Sequence, residues 1–137
     1  MTNLEKKKLY RELSYRLPYG VKVCINNNPK LIGTLIGIVG DNVIVFSSGR
    51  IQTNIENVKP YLRRVESMSD IEKQIYNSLL TDIDKNYHNI KSLSLINDWL
   101  NGFMFDYDNI IDLGLANEAS EGIYVLRSLL PIINIIK

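Results

Sequence analysis

Residues 21–65 carry five short apolar stretches separated by asparagine-, glycine- and serine-rich punctuation, a pattern that has few outcomes other than a small antiparallel sheet. Val21, Val23 and Ile25 alternate with Lys22 and Cys24, so one face of the first strand is apolar. Asn26, Asn27, Asn28 and Pro29 supply a turn. Residues 31–39 form a long apolar run interrupted by Gly33 and Gly37, which predicts a bend or bulge. After a turn at Gly40, Asp41 and Asn42, residues 43–46 are apolar on both faces and suit a covered central strand. Residues 47–50 turn again. Ile51, Thr53 and Ile55 then alternate with Gln52 and Asn54, residues 56–58 make one helical turn, and residues 59–65 form a last strand that Pro60 places at an edge or start.

The flanks have a different period. In residues 2–16, Thr2 and Glu5 stand at capping-box spacing, and Leu9, Leu13 and Leu17 recur every fourth residue, so a helix is expected up to Pro18. Ser69 and Glu72 repeat the capping spacing, followed by Ile71, Ile75, Leu79 and Ile83 with Tyr76 and Leu80 widening the stripe. This second helix is expected to run to about Lys85. Ser92 or Ser94 is expected to cap a third, containing Leu95, Ile96, Trp99, Leu100 and Phe103. Asp108 is expected to cap a short turn that Gly114 closes in the left-handed region. The fold class is therefore α+β: a small five-stranded antiparallel barrel (residues 21–66) preceded by one helix (1–20) and followed by a helical region (67–122) and an apolar tail (123–137), all in one domain. The strand spacing resembles the small barrels of the Src-homology-3 and Tudor type. None of the binding aromatics of those families has a matching position.

Composition limits the chemistry. With 45% hydrophobic and 23% charged residues the chain is an ordinary globular one, so disorder is not expected. Cys24 is the only cysteine, which excludes an internal disulfide and fits a reducing, cytoplasmic setting. No secretory leader and no membrane-spanning run is read at either end; the tail is apolar but broken by Arg127 and Pro131. No cofactor, metal or catalytic set is expected. His88, the one histidine, has no neighbour in sequence to act with. Asp82 with Asp84 and Asp106 with Asp108 lack calcium-loop spacing. Residues 33–37 lack the lysine and strand-to-helix setting of a phosphate loop.

Charge is distributed unevenly. Eleven basic and five acidic residues up to residue 66 give +6, whereas five basic and ten acidic residues after it give −5. Either the halves attract each other, or the basic half faces a polyanion. In the second case Lys6, Lys7, Lys8, Arg11, Lys59, Arg63 and Arg64 would hold phosphates while Tyr61 stacks a base. Trp99, Phe103, Phe105 and Tyr107 form an aromatic cluster that serves either as core or as a groove for a protein partner.

Three groups of residues carry a further resemblance: Leu17 to Val23; Glu56 to Arg63 with Ser67, Met68 and Ser69; and Asp98-Trp99-Leu100, Phe105-Asp106-Tyr107, Gly114-Leu115-Ala116 and Glu121 to Tyr124. In this order they resemble a family of short uncharacterised proteins from gut Bacteroidetes and their phages or mobile elements. The resemblance implies a genomic setting and no particular activity. The function expected is a non-catalytic protein-interaction or assembly module, with an unknown protein partner or self-association through the tail. The alternative is a nucleic-acid-binding accessory protein.

Overall fold

The computed structural model of the chain describes residues 1–85 and 90–124. His88 and the tail from residue 125 onward, including its expected role in self-association, lie outside the described residues. The first helix, α1 (Asn3–Arg16), starts as its sequence requires: Thr2 Oγ1 accepts from the Glu5 amide at 3.1 Å, and Glu5 accepts from the Thr2 amide at 3.1 Å. A 3-10 turn (Leu17–Tyr19) follows, ended by Gly20 at φ +75°. Leu9 and Leu13 are fully buried, as the spacing predicts; Glu12 and Arg16 are buried with them.

Seven strands follow in chain order: β1 (Lys22–Ile25), β2 (Asn28–Val39), β3 (Asn42–Phe46), β4 (Arg50–Asn54), β5 (Val58–Arg64), β6 (Phe105–Asp106) and β7 (Asn117–Glu118). The first four form an antiparallel meander, and β5 returns to pair antiparallel with β1, giving the order β4-β3-β2-β1-β5-β6 with β7 also on β5. The turn between β1 and β2 needs only two residues. Asn26 and Asn27 both adopt left-handed backbone, φ +54° and +56°, which matches the twist of a tight hairpin and which asparagine tolerates. Asn28 and Pro29 therefore open β2 instead of lying in the turn. At Pro60 the strand has only β1 beside it; β6 joins further along, at Arg63.

The register between β2 and β3 shifts between Leu35 and Gly37, the expected bulge. Gly33 has a separate reason. A Cβ there would lie 2.5 Å from Val45 Cγ1 and 2.8 Å from the Phe46 carbonyl oxygen, so β3 crosses too closely for any side chain. Gly33→Ala should lower stability by about 1–3 kcal/mol, measured by urea unfolding. An alanine variant as stable as the parent would show that β3 can move aside.

Two expectations are corrected. The sheet is open among the described residues: β4 pairs only with β3, because the 3-10 turn Ile55–Asn57 carries the chain back to β1. The second half is not wholly helical. α2 (Asp70–Lys85) and α3 (Ile90–Gly102) are followed by Met104 at φ +63°, which turns the chain into the parallel partners β6 and β7. The Arg63 amide donates to Met104 O at 2.8 Å, and Leu62 O accepts from the Ala119 amide at 2.7 Å. These two groups belong to one peptide unit and point to opposite edges, so the end of β5 is flanked on both sides. Ser92 and Ser94 lie inside α3 and do not cap it. The cap of the later turn is Asp106, not Asp108: its carboxylate accepts from the Ile110 and Ile111 amides, both at 2.9 Å.

The core has two parts. One lies between α1, the sheet and residues Ile110, Leu115 and Ala116; the other joins Met68, α2, α3 and Phe105. Arg63 connects them. Its guanidinium makes paired bonds of 2.8 and 2.7 Å to Glu72 and lies 4.5 Å over the Phe105 ring. Glu72 is also the capping-box partner of Ser69. Burial raises the Glu72 pKa, but the bonds from Arg63 and Ser69 outweigh it and hold the carboxyl below its ordinary value. Because Glu72 is drawn inward, its neighbour Ile71 faces solvent, so the apolar stripe of α2 begins at Ile75. Among the described residues no helix is long and apolar enough to cross a membrane.

Candidate functional site

The last two turns of α1, the 3-10 turn, α3 and the residues after β6 converge on a cavity of about 550 Å³. It is lined by Arg11, Tyr15, Pro18, Tyr19, Asn97, Asp98, Asn101, Tyr107 and Asp108. Helix geometry explains the selection. Arg11 and Tyr15 stand at i, i+4 on the outward side of α1, and Asn97 and Asn101 at i, i+4 on α3, so each helix presents one stripe to the opening. Tyr107 and Asp108 arrive because β6 is anchored to β5 just before them.

Arg16, buried behind the lining, holds these elements together. Its guanidinium is fully buried, pairs with Glu12 one turn back, donates to the Glu12 carbonyl at 3.0 Å and to the Phe105 carbonyl at 2.7 Å, and lies 5.2 Å from the Tyr107 ring centre. One side chain thus ties α1 to β6. The pair is not fully satisfied: Glu12 Oε1 and Arg16 Nε are buried without a hydrogen-bond partner among the described residues. Burial, and the Asp108 carboxyl beside it, push the Glu12 pKa up to about 7, against the opposing pull of Arg16. Arg11 reaches Glu12 at 3.7 Å and Asp108 at 3.6 Å, an ion pair to each without hydrogen-bond contact. Tyr107 donates to Asn101 Oδ1 at 2.8 Å, and its pKa is raised mainly by burial. Burial and the nearby Asp98 raise that of Tyr19.

The sequence-derived candidates are placed as follows. Of the cations expected to meet a polyanion, Lys6 pairs with Asp41 and Glu56, Arg11 with Asp108, Arg63 with Glu72, and Arg64 with Asp112 and Glu118. The last three of these four reach carboxylates of the acidic half. Lys7 is exposed, Lys8 and Lys59 are half-buried, and Tyr61 is buried beside Cys24. The aromatic cluster divides. Trp99, Phe103 and Phe105 are core, with Trp99 at 5.1 and 5.5 Å from the other two ring centres, and only Tyr107 reaches the cavity. Sequence reasoning missed Glu12, Tyr15, Tyr19, Asn97, Asp98 and Asn101. The one available signal was the i, i+4 spacing of Glu12 with Arg16 and of Asn97 with Asn101. Among the described residues no three His, Cys, Asp or Glu side chains gather as a metal site would require. No family model, no curated protein and no solved structure matches this chain.

Proposed function

We propose that the chain is a non-catalytic protein-interaction module that receives its partner in the cavity between α1 and α3. The observation that carries this reading is the lining itself: tyrosines and amides at an open cavity, with a buried ion pair holding its walls in register. Tyrosine supplies large, rigid contact area with a polar tip, the property that makes it common at binding hot spots. The strand order β5-β1-β2-β3-β4, with a 3-10 turn ahead of β5, supports reading residues 21–66 as an open antiparallel scaffold whose strand sequence is similar to that of the Src-homology-3 type. The ion pairs of Lys6, Arg11, Arg63 and Arg64 favour this over a nucleic-acid surface, since those cations already have carboxylate partners.

Selection of a random-peptide library on the immobilised full chain tests the proposal. Enriched peptides should share a consensus. They should lose on the order of 2 kcal/mol, or roughly thirtyfold in affinity, against Tyr15→Ala, with a smaller loss against Asn97→Ala. Both positions are exposed, so neither change disturbs the core. A library without enrichment, or peptides that bind both variants as well as the parent, would overturn the reading.

A further inference from the structure

We infer that the cavity takes the guanidinium group of an arginine on the partner, with Asp108 and Asp98 as its counter-charges. This rests on the interaction reading above and names the chemistry of what enters. Among the described residues the charged groups of the lining are Asp98, Asp108 and Arg11, so this wall is acidic on balance. Arg11 offsets part of this charge as an ion pair, but at 3.6 Å it makes no hydrogen bond to Asp108, so that carboxylate can still accept from an incoming donor. Glu12 Oε1, fully buried beside Asp108, has no hydrogen-bond partner among the described residues, and a buried acceptor left in that state is costly. Glu12 lies behind Asp108 and outside the lining, so its negative charge adds to that of Asp108 and favours an incoming donor that carries positive charge. An anion would meet the two carboxylates of the lining against Arg11, while the buried Arg16 is offset by the ionised Glu12. A guanidinium fits better than an ammonium: its planar fork matches a carboxylate edge, and it stacks on aromatic faces such as those of Tyr15 and Tyr19.

A proton linkage follows from this buried pair. A proton on Glu12 Oε1 gives that atom a partner in the Asp108 carboxylate, which explains why the pair is tolerated in a buried position. The groups that face Glu12 are Arg16 and Arg11 from α1 and Asp108 and Tyr107 from the segment after β6. A cation held by Asp108 favours the ionised Glu12 and so displaces the proton. Affinity therefore rises with pH through neutrality. With complete displacement, the competent fraction grows about tenfold between pH 6 and pH 8.

The test uses the full chain labelled with nitrogen-15 and three probes: N-acetylargininamide, N-acetyllysinamide and N-acetylglutaminamide. Amide shifts are followed at pH 6 and pH 8. The arginine probe should move the Asn97, Asn101 and Asp108 signals and bind several-fold tighter at pH 8, with about tenfold as the ceiling. Asp108→Asn should abolish this binding. Glu12→Gln, which keeps the side chain's shape, should bind without the pH dependence. Equal binding of the glutamine or lysine probe, or undiminished binding to Asp108→Asn, would overturn the inference. Should library peptides depend on Tyr15 while the arginine probe leaves the signals unmoved, the cation inference falls and the interaction reading stands. Should the probe bind as described while no peptide is enriched, the reverse holds.

Discussion

Replacing Trp99 with alanine should destabilise the fold by about 3–5 kcal/mol. Trp99 is fully buried and sits at the centre of the second core cluster, with ring centres of Phe103, Phe105 and Tyr76 at 5.1, 5.5 and 6.1 Å. Those neighbours come from α2, the turn after α3 and β6, so no single element can shift to fill the void, and an unfilled cavity is what makes such substitutions severe. The indole N–H has no acceptor among the described residues. Trp99→Phe therefore gives up volume but also removes an unsatisfied donor, and it should cost less than half as much as the alanine change. Since Trp99 is the only tryptophan, its own fluorescence follows parental unfolding, while urea titrations read by far-UV circular dichroism compare all three proteins. A loss below about 1 kcal/mol for the alanine variant would mean that the cluster repacks and that these aromatics do not form a cooperative core.

Much of the fold was legible where the determining interactions are local. The Thr2–Glu5 and Ser69–Glu72 boxes need only residues three apart, and both form. The strand period, the bulge next to Gly37 and the left-handed Gly114 likewise follow from neighbours in sequence. The two-residue strands β6 and β7 are too short to show any period, and they exist because β5 offers both its edges. The candidate site was harder still. Glu12 and Arg16 have the spacing of a solvated surface pair, and nothing near them in sequence signals burial. They are buried because the segment after α3, about ninety residues away, is held over them through the bond from Arg16 to Phe105. In the same way Ile71 had the spacing of a core residue, yet the distant Arg63 draws Glu72 in and turns Ile71 out. The uneven charge was visible, but its resolution into ion pairs between the halves required the fold.

Arg16→Met should lower stability by about 3–4 kcal/mol at pH 8 and by roughly 1.4 kcal/mol less at pH 6. The pH-independent part is the loss of the bonds to the Phe105 and Glu12 carbonyls, while the methionine stem keeps most of the packed volume. The pH-dependent part comes from Glu12. Burial raises its pKa in the folded chain to about 7, against an ordinary 4.5, so its proton stabilises the fold fully below about pH 4.5, and that contribution is lost as pH rises through 7. The parent should therefore weaken between pH 5 and pH 8, by up to roughly 3 kcal/mol. Glu72 does not disturb this window. Its pKa is lowered, so its contribution is present above about 4.5 and is lost only in acid. Without Arg16, only the longer contact to Arg11 opposes the burial of the Glu12 carboxylate, its folded pKa climbs further, and each added unit removes about 1.4 kcal/mol at a pH above it. Glu12→Leu combined with Arg16→Met removes the charge altogether. It should regain most of the loss and flatten the pH profile, as replacement of buried pairs by apolar residues generally does. Chemical denaturation at pH 6, 7 and 8 decides the matter. An Arg16→Met penalty that stays constant across that range would show that Glu12 does not titrate there, and would remove the proton on which the linkage to cation binding depends.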